Sequence, residues 1–294
     1  MYPFIHIGPI TLGTYGLMVA SGLLCAFFIM RADIARRGLH ADAESIIGIT
    51  GLAGLAGARI YHLLESPSEF FADPWRLLFS TSGFAWFGAF IGGFLALVLL
   101  ARRYKINMLQ MLDVASPAAA LGYGVGRIGC LLSGDGDYGI PTRLPWGMSF
   151  PNGLVPTTGP WDPQSHSGVC SKYGLPQNCT VHPTPIYEFL AALVIAYFLW
   201  RVGQAAIGAS RPAGEVFGWY MVATGVARFL VEYIRINDRS FLGVMTNAQA
   251  ASVVSVIAGV ILLISLARRA PAVPEPAARA GRPQAQRRSH QPTH

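Results

Sequence analysis

Charge is what this chain has least of. Only 13% of its 294 residues are Asp, Glu, Lys or Arg, about half the roughly 25% typical of soluble domains, which excludes an ordinary water-facing surface. Cysteine is also scarce, and four residues are too few for a disulfide scaffold. Polar low-complexity sequence is largely missing: 52% of the residues are hydrophobic and the mean hydropathy is +0.42, which excludes a chain disordered throughout. What remains is an integral membrane protein. Its net charge of +7 raises the question of a nucleic-acid partner, and the answer depends on where the positive charges lie.

A helix crosses the hydrocarbon core with roughly 20 mostly apolar residues. Seven such windows are present: Leu12–Met30, Ile46–Leu64, Gly83–Ala101, Val114–Leu132, Pro185–Trp200, Gly214–Ile234 and Asn247–Ala267. The first has no basic leader or clear small-residue cleavage site, and it reads as a retained helix rather than a removed signal peptide. Seven spans put the two termini on opposite sides. Fourteen of the 22 basic residues fall on one side of this arrangement, from Arg31, Arg36 and Arg37 through Arg102, Arg103, Lys105, Arg201 and Arg211 to the six arginines between Arg268 and Arg288. The other side holds five: Arg76, Arg143, Lys172, Arg235 and Arg239. Cytoplasmic loops retain Lys and Arg, so the N-terminus is expected outside and the C-terminus in the cytoplasm.

The predicted fold is therefore an all-α polytopic membrane protein of seven transmembrane helices over residues 1–268, followed by a disordered basic cytoplasmic tail over 269–294. The tail is rich in Pro, Ala and Arg and suits anionic lipid headgroups; no nucleic-acid partner is expected. The one large extramembrane segment, residues 133–184, lies outside and contains eight prolines and eight glycines. Its aromatics Tyr138, Trp146, Phe150, Trp161 and Tyr173 favour a small packed structure. Cys170 and Cys179 within it are expected to form a structural disulfide on the oxidising side. Cys25 and Cys130 read as buried thiols.

Three basic residues are left inside the membrane windows: Arg59, Arg127 and Arg228. Each costs at least about 2.5–3.5 kcal/mol at the bilayer centre. Glu232, four residues after Arg228, lies on the same helical face. Asp113 and Glu188 sit near the inner end of the fourth window and the outer end of the fifth, and at membrane depth the positive residues outnumber these acids. The plainer reading is packing by snorkelling or pairing; the sharper one is convergence on an anion held at depth, such as a lipid phosphate. Small residues at helical spacing (Gly51, Gly54 and Gly57; Gly88 and Gly92; Gly122 and Gly126) predict closely packed helices.

Gly126-Arg127-Ile128-Gly129, followed by Ser133-Gly134-Asp135 and Tyr138-Gly139, resembles the signature of the bacterial phosphatidylglycerol-prolipoprotein diacylglyceryl transferases, G-R-I-G-N-F-x-N-G-E and then an aromatic and Gly. Further matches fall in the family's order. They are Gly13-Thr14-Tyr15-Gly16-Leu17-Met18, Gly57-Ala58-Arg59, Gly83-Phe84-Ala85-Trp86-Phe87-Gly88, Asp113 with Pro117, Pro145-Trp146-Gly147-Met148, His182 through Glu188, and Arg228-Phe229-x-x-Glu232-Tyr233-x-Arg235. The resemblance implies a multi-pass enzyme of the bacterial inner membrane. It would move a diacylglyceryl group from phosphatidylglycerol to the thiol of the lipobox cysteine of a preprolipoprotein, releasing glycerol phosphate. Such chemistry needs guanidinium groups on the phosphate and a base for the thiol. It needs no metal or nucleotide cofactor, and the seven histidines are scattered with no H-x-x-x-H pair in a span.

By the resemblance, Arg127 and Arg228 hold the lipid phosphate, Glu232 orients Arg228 and Tyr15 is a polar contact in the cavity. Asp135 and Gly139 shape the outer rim, and Glu188 and His182 sit where the long loop re-enters the membrane. Arg59 either joins the substrate site or fixes helix packing. The sequence also departs from the pattern. Phe87 stands where the family commonly has His or Tyr, Cys130 and Ser133 replace two asparagines, Asp135 replaces Glu, one residue is inserted before Gly139, and Thr224 replaces a frequent Tyr. The base for the thiol is thus unassigned. Two other readings stay open on these residues: a diverged transferase with another lipid donor or acceptor, and a phospholipid-binding membrane protein without enzymatic activity.

Overall fold

The computed structural model describes residues 2–65, 67–75, 85–237 and 240–269. Gly83 and Phe84 of the third window, Arg76, Arg239 and the tail from residue 270 lie outside the described residues. Two short strands come first, β1 (Phe4–Ile7) and β2 (Ile10–Gly13), paired antiparallel with Ile7 opposite Ile10. The two-residue turn between them places Gly8 at φ +61°, a conformation glycine takes without a steric penalty. This hairpin corrects the first window: Leu12 is in a strand, and the helix begins at Thr14.

The helices are α1 (Thr14–Arg36), α2 (Ala43–Glu65), α3 (Pro67–Ala72), α4 (Trp86–Arg103), α5 (Met108–Ser133), α6 (Val169–Lys172), α7 (Thr184–Gly208), α8 (Glu215–Val231) and α9 (Asn247–Arg269). α1, α2, α7 and α9 are long and apolar enough to cross a membrane by length and composition. The apolar surface is turned outward: Phe87, Phe90, Ile91, Phe94, Leu95 and Leu99 of α4 and Val254, Ile257, Ile261 and Ile264 of α9 are exposed, whereas Asp33, Arg59, Asp113, Glu188 and Glu232 are buried. Contiguous exposed apolar faces of this size mark contact with lipid or protein.

α5 is the central helix, packed on α1, α7 and α8, while α2 packs on α4 and α8 on α9. Close approach of backbones sets two of these pairs. A Cβ at Gly22 of α1 would lie 2.7 Å from the Gly122 carbonyl oxygen of α5, and Gly57 of α2 meets Gly88 and Gly92 of α4 backbone to backbone. Gly126 has open space beside it, so the Gly122/Gly126 pair packs through Gly122 alone. α5 starts on an Asn107 cap, whose side chain accepts from the Leu109 amide at 2.8 Å, and stops at Gly134 in the left-handed conformation, both ordinary helix signals.

Asp113 serves a structural end. Its carboxylate accepts from the backbone amides of Gly214 (2.8 Å) and Phe217 (2.9 Å), capping α8. Nearby, the fully buried Asp33 pairs with Arg36 and Arg37, and Arg36 stacks 3.8 Å over the Trp200 ring while donating to the Trp200 carbonyl. Asp113 is therefore engaged at this end and is not available to the arginines of the windows.

The segment after α5 folds onto the bundle's other end. Tyr138, Phe150, Val169, Val181 and Ile236 form a buried cluster, with Tyr138 stacked on Phe150 at 5.1 Å and its hydroxyl donating to the Val155 carbonyl. Cys170 and Cys179 form a disulfide. The Gly139–Ile140 backbone is bonded on both sides: the Gly139 amide donates to the His182 carbonyl and the Ile140 amide to the Ile234 carbonyl, both at 2.8 Å. That ladder brings the start of α7 and the chain after α8 against the end of α5.

Candidate functional site

Where those three segments meet, three arginines and three carboxylates interlock. Glu188, on the first turns of α7, is the hub, with its side chain only 4% exposed. It accepts from Arg228 Nη1 (2.9 Å) and from the Tyr123 hydroxyl (2.8 Å), and it pairs with Arg127 Nε (3.3 Å) and Arg235 Nη1 (3.4 Å). Glu232 binds Arg228 Nη2 at 2.9 Å and accepts from Asn237 at 2.5 Å. Asp137 is clasped by Arg127 and Arg235, one on each oxygen. Local sequence sets the geometry: Tyr123 and Arg127 stand four residues apart on α5, so that Arg127 Nε donates to Tyr123 Oη at 2.9 Å, and Arg228 and Glu232 share a face in the same way.

Electrostatically the cluster is balanced. Within the cluster there is no excess of positive charge, because Asp137, ten residues from Arg127 and 98 from Arg235, and Glu188 from another helix supply the partners. Burial alone would raise the Asp137 carboxyl, but Arg235 and Arg127 outweigh it and hold the group at about 2, so Asp137 is ionised at any physiological pH. Pairing leaves donors over: Arg127 uses Nε and Nη1, and among the described residues nothing accepts from its Nη2. The Arg127 and Arg228 side chains are 16% and 27% exposed, so both guanidinium groups can meet a ligand.

The remaining predicted residues fall at graded distances from this centre. Tyr15 is half exposed at the start of α1 and lies against Gly129, where a Cβ would sit 3.3 Å from its ring. Asp135 stands beside the cluster without an ion pair among the described residues; Asp137, two positions on, takes that part. Gly139 has no room for a side chain: a Cβ would meet the Ile234 carbonyl, His182 Cβ (2.9 Å) and Thr184 Cγ2 (3.0 Å). His182 is at the rim, its ring 3.2 Å from the Tyr187 hydroxyl, which also accepts from Trp146 Nε1 at 2.7 Å. Arg59 is buried on α2, the helix that packs on α4. Phe87 is exposed on α4, with the Tyr61 ring 6.3 Å away.

Three members are not apparent as site residues from the sequence. Tyr123 is signalled only by its spacing from Arg127, Asp137 is hidden by the inserted residue in the glycine-rich turn, and Arg235 reads as an outer-loop residue. Cys130 is buried, with Arg127 Nη1 3.7 Å from its sulfur. Cys130 Sγ and oxygens of Asp135 and Asp137 lie within 4.8 Å of one another. The two guanidinium groups on Asp137 oppose a cation there, whereas an anion is favoured beside them.

Apolar-faced helices around an ionic cluster of three arginines and three carboxylates define a helical membrane protein with a charged centre at one end of its bundle. Comparison with known sequences sharpens the class. The chain matches the family described as Prolipoprotein diacylglyceryl transferase over residues 3–265, and it belongs to that family. It is 31% identical over 251 residues to the phosphatidylglycerol-prolipoprotein diacylglyceryl transferase of Clostridium tetani, covering 84% of this chain and 90% of the relative. The Nitrosospira multiformis enzyme of the same name is 31% identical over 279 residues (88% and 84%), and that of Escherichia coli O1:K1 is 29% identical over 281 residues (90% and 92%).

Proposed function

We propose that the protein transfers the diacylglyceryl group of phosphatidylglycerol to the lipobox cysteine thiol of preprolipoproteins, forming a thioether and releasing glycerol phosphate. Membership of the family along nearly the whole chain carries this reading, and its relatives bear that name. In the reaction the thiol sulfur attacks the glyceryl carbon and a phosphate ester departs, so the negative charge that grows on the departing oxygen must be stabilised. Arg127 and Arg228 hold the lipid phosphate. Their linkage through the single carboxylate of Glu188 supports that role, since it fixes both guanidinium groups with donors to spare. Glu232 orients Arg228, Tyr15 lines the cavity beside α5, and Gly139 admits the close backbone ladder that aligns Asp137, Arg235 and Glu188. His182 and Asp135 belong to the rim. Arg59 fixes helix packing in this reading.

Topologically, the seven long helices α1, α2, α4, α5, α7, α8 and α9 span the bacterial inner membrane, with the N-terminus and the 133–184 segment outside and the 269–294 tail in the cytoplasm. The distribution of basic residues supports this orientation, and the Cys170–Cys179 disulfide supports an oxidising location for the segment. The comparisons do not favour the diverged and non-enzymatic alternatives. Expression in a transferase-depleted bacterium tests the proposal: growth is restored and the lipoprotein gains the mass of a diacylglyceryl group. A well-expressed protein that neither rescues growth nor modifies the lipoprotein would overturn it.

A further inference from the structure

Thiol alkylation requires a proton acceptor, and Phe87 offers none. Of the four carboxylates around the site, Glu188, Glu232 and Asp137 are each bound by at least two arginines. Asp135 alone has no ion pair among the described residues: its carboxylate bonds to the Cys130 thiol and the Asp137 amide, so no guanidinium competes for a proton there. Its position is fixed by the backbone. It stands between Gly134 (φ +60°) and Gly136 (φ +92°), the first backed by Gly153 at 2.7 Å and the second by Val155 at 3.1 Å from where a Cβ would stand. The Asp137 amide donates to Asp135 Oδ1 at 3.3 Å, an Asx-type turn that orients the carboxylate. Beside it is a thiol: Cys130 Sγ lies within 4.8 Å of the carboxylate. The protein therefore already places a sulfur next to Asp135, with Arg127 Nη1 3.7 Å from that sulfur.

We propose that Asp135 is the general base that takes the proton from the acceptor cysteine. This rests on the transferase reading above. The acceptor's S–H bond breaks and its proton passes to an Asp135 oxygen, while the sulfur electron pair forms the C–S bond to the glyceryl carbon. The C–O bond to phosphate breaks, leaving its electron pair on the phosphate oxygen. Asp135 then returns the proton to the departing glycerol phosphate and is a carboxylate again.

The surroundings suit a base. The groups that face Asp135 are Tyr15 from α1, Arg127 and Cys130 from α5, and Asp137 and Tyr138 from the following turn. Burial, and next the charge of Asp137, push the Asp135 carboxyl above the ordinary carboxylate range, against smaller opposing contributions from Cys130, the Asp137 amide and Arg127. A bound lipid phosphate adds another negative charge nearby and raises its proton affinity further. Below its raised pKa the group is protonated and cannot act, so the rate rises with pH. The inflection in kcat, which reports the complex, lies at higher pH than that in kcat/KM, which reports the free enzyme.

Asp135→Asn tests this, because Asn keeps the Oδ1 acceptor of the turn and with it the local fold. Transfer from phosphatidylglycerol vesicles to a lipobox peptide is followed against pH for the wild type, Asp135→Asn and Asp135→Glu, together with KM for the lipid. Loss of a general base lowers kcat by about 100-fold or more with KM for the lipid unchanged. The Asn variant recovers as pH approaches the free thiol's pKa of about 8.5, where preformed thiolate needs no base, and Asp135→Glu retains a carboxylate-dependent acid limb. A wild-type enzyme that transfers nothing overturns the transferase reading and this proposal together. An active wild type with Asp135→Asn within threefold of its kcat, or slowed only through KM, overturns this proposal alone.

Discussion

Neutralising Glu188 is the sharpest perturbation of the ionic cluster. The wild-type site balances Arg127, Arg228 and Arg235 against Glu188, Glu232 and Asp137, and Glu188 touches all three cations within 3.4 Å. Glu188→Gln keeps the shape, leaves a net charge of +1 in a largely buried site, and turns one amide NH2 towards guanidinium donors. Breaking a buried ion pair by removing one partner costs about 3–5 kcal/mol. Arg127 and Arg228 keep some solvent contact, 16% and 27%, which places the expected loss at the lower end, about 3 kcal/mol. Equilibrium unfolding of the purified protein in mixed detergent micelles measures it. Adding Arg235→Gln restores neutrality, so the double variant loses less than the sum of the singles, with a coupling of about 1 kcal/mol or more. A Glu188→Gln variant within about 0.5 kcal/mol of wild type, or strictly additive singles, would refute the view that this carboxylate neutralises the cluster.

Three further outcomes are expected. Arg127→Lys recovers little of the transfer lost in Arg127→Ala, because an ammonium replaces a planar fork with a point charge; equal activity of Lys and Arg would point to packing alone. Gly139→Ala places a methyl against the Ile234 carbonyl and costs about 1–3 kcal/mol, and kcat falls as the Asp137–Arg235 contact shifts, both read from unfolding and transfer assays. Asp113→Ala removes the two-amide cap of α8 and costs about 1–2 kcal/mol of stability while leaving the kcat of the folded protein unchanged.

Much of the scaffold was legible because apolar runs of helical length read directly as helices, and each of the seven windows overlaps one of α1, α2, α4, α5, α7, α8 and α9. The hairpin was not: Ile5, Ile7, Ile10 and Leu12 share one face of the two paired strands, but an alternation only four residues long in each strand merges into the apolar run of the following span. In the site, Arg127, Arg228, Glu232 and Glu188 stood out as charges in apolar sequence. The Arg228–Glu232 pair was legible from its four-residue spacing, but the links between elements were not, because they are made across separations such as the 98 residues between Asp137 and Arg235, which no local pattern encodes. Arg235 was misplaced for a related reason: α8 ends at Val231 and the chain turns back through the ladder with Gly139, which returns an apparent loop residue to the interior. Asp137 and Asp135 differ only in which one the arginines reach, and that is decided by the turn through Gly134 and Gly136.

The central claim is that the arginine cluster serves diacylglyceryl transfer from phosphatidylglycerol to a thiol. The most direct test incubates the purified protein with vesicles of phosphatidylglycerol labelled in its headgroup glycerol and with a lipobox peptide, and follows both products. The account predicts a peptide heavier by one diacylglyceryl group on its cysteine, with labelled glycerol phosphate released in equal amount. A folded protein that leaves the peptide unmodified, or modifies it without releasing glycerol phosphate, would contradict it.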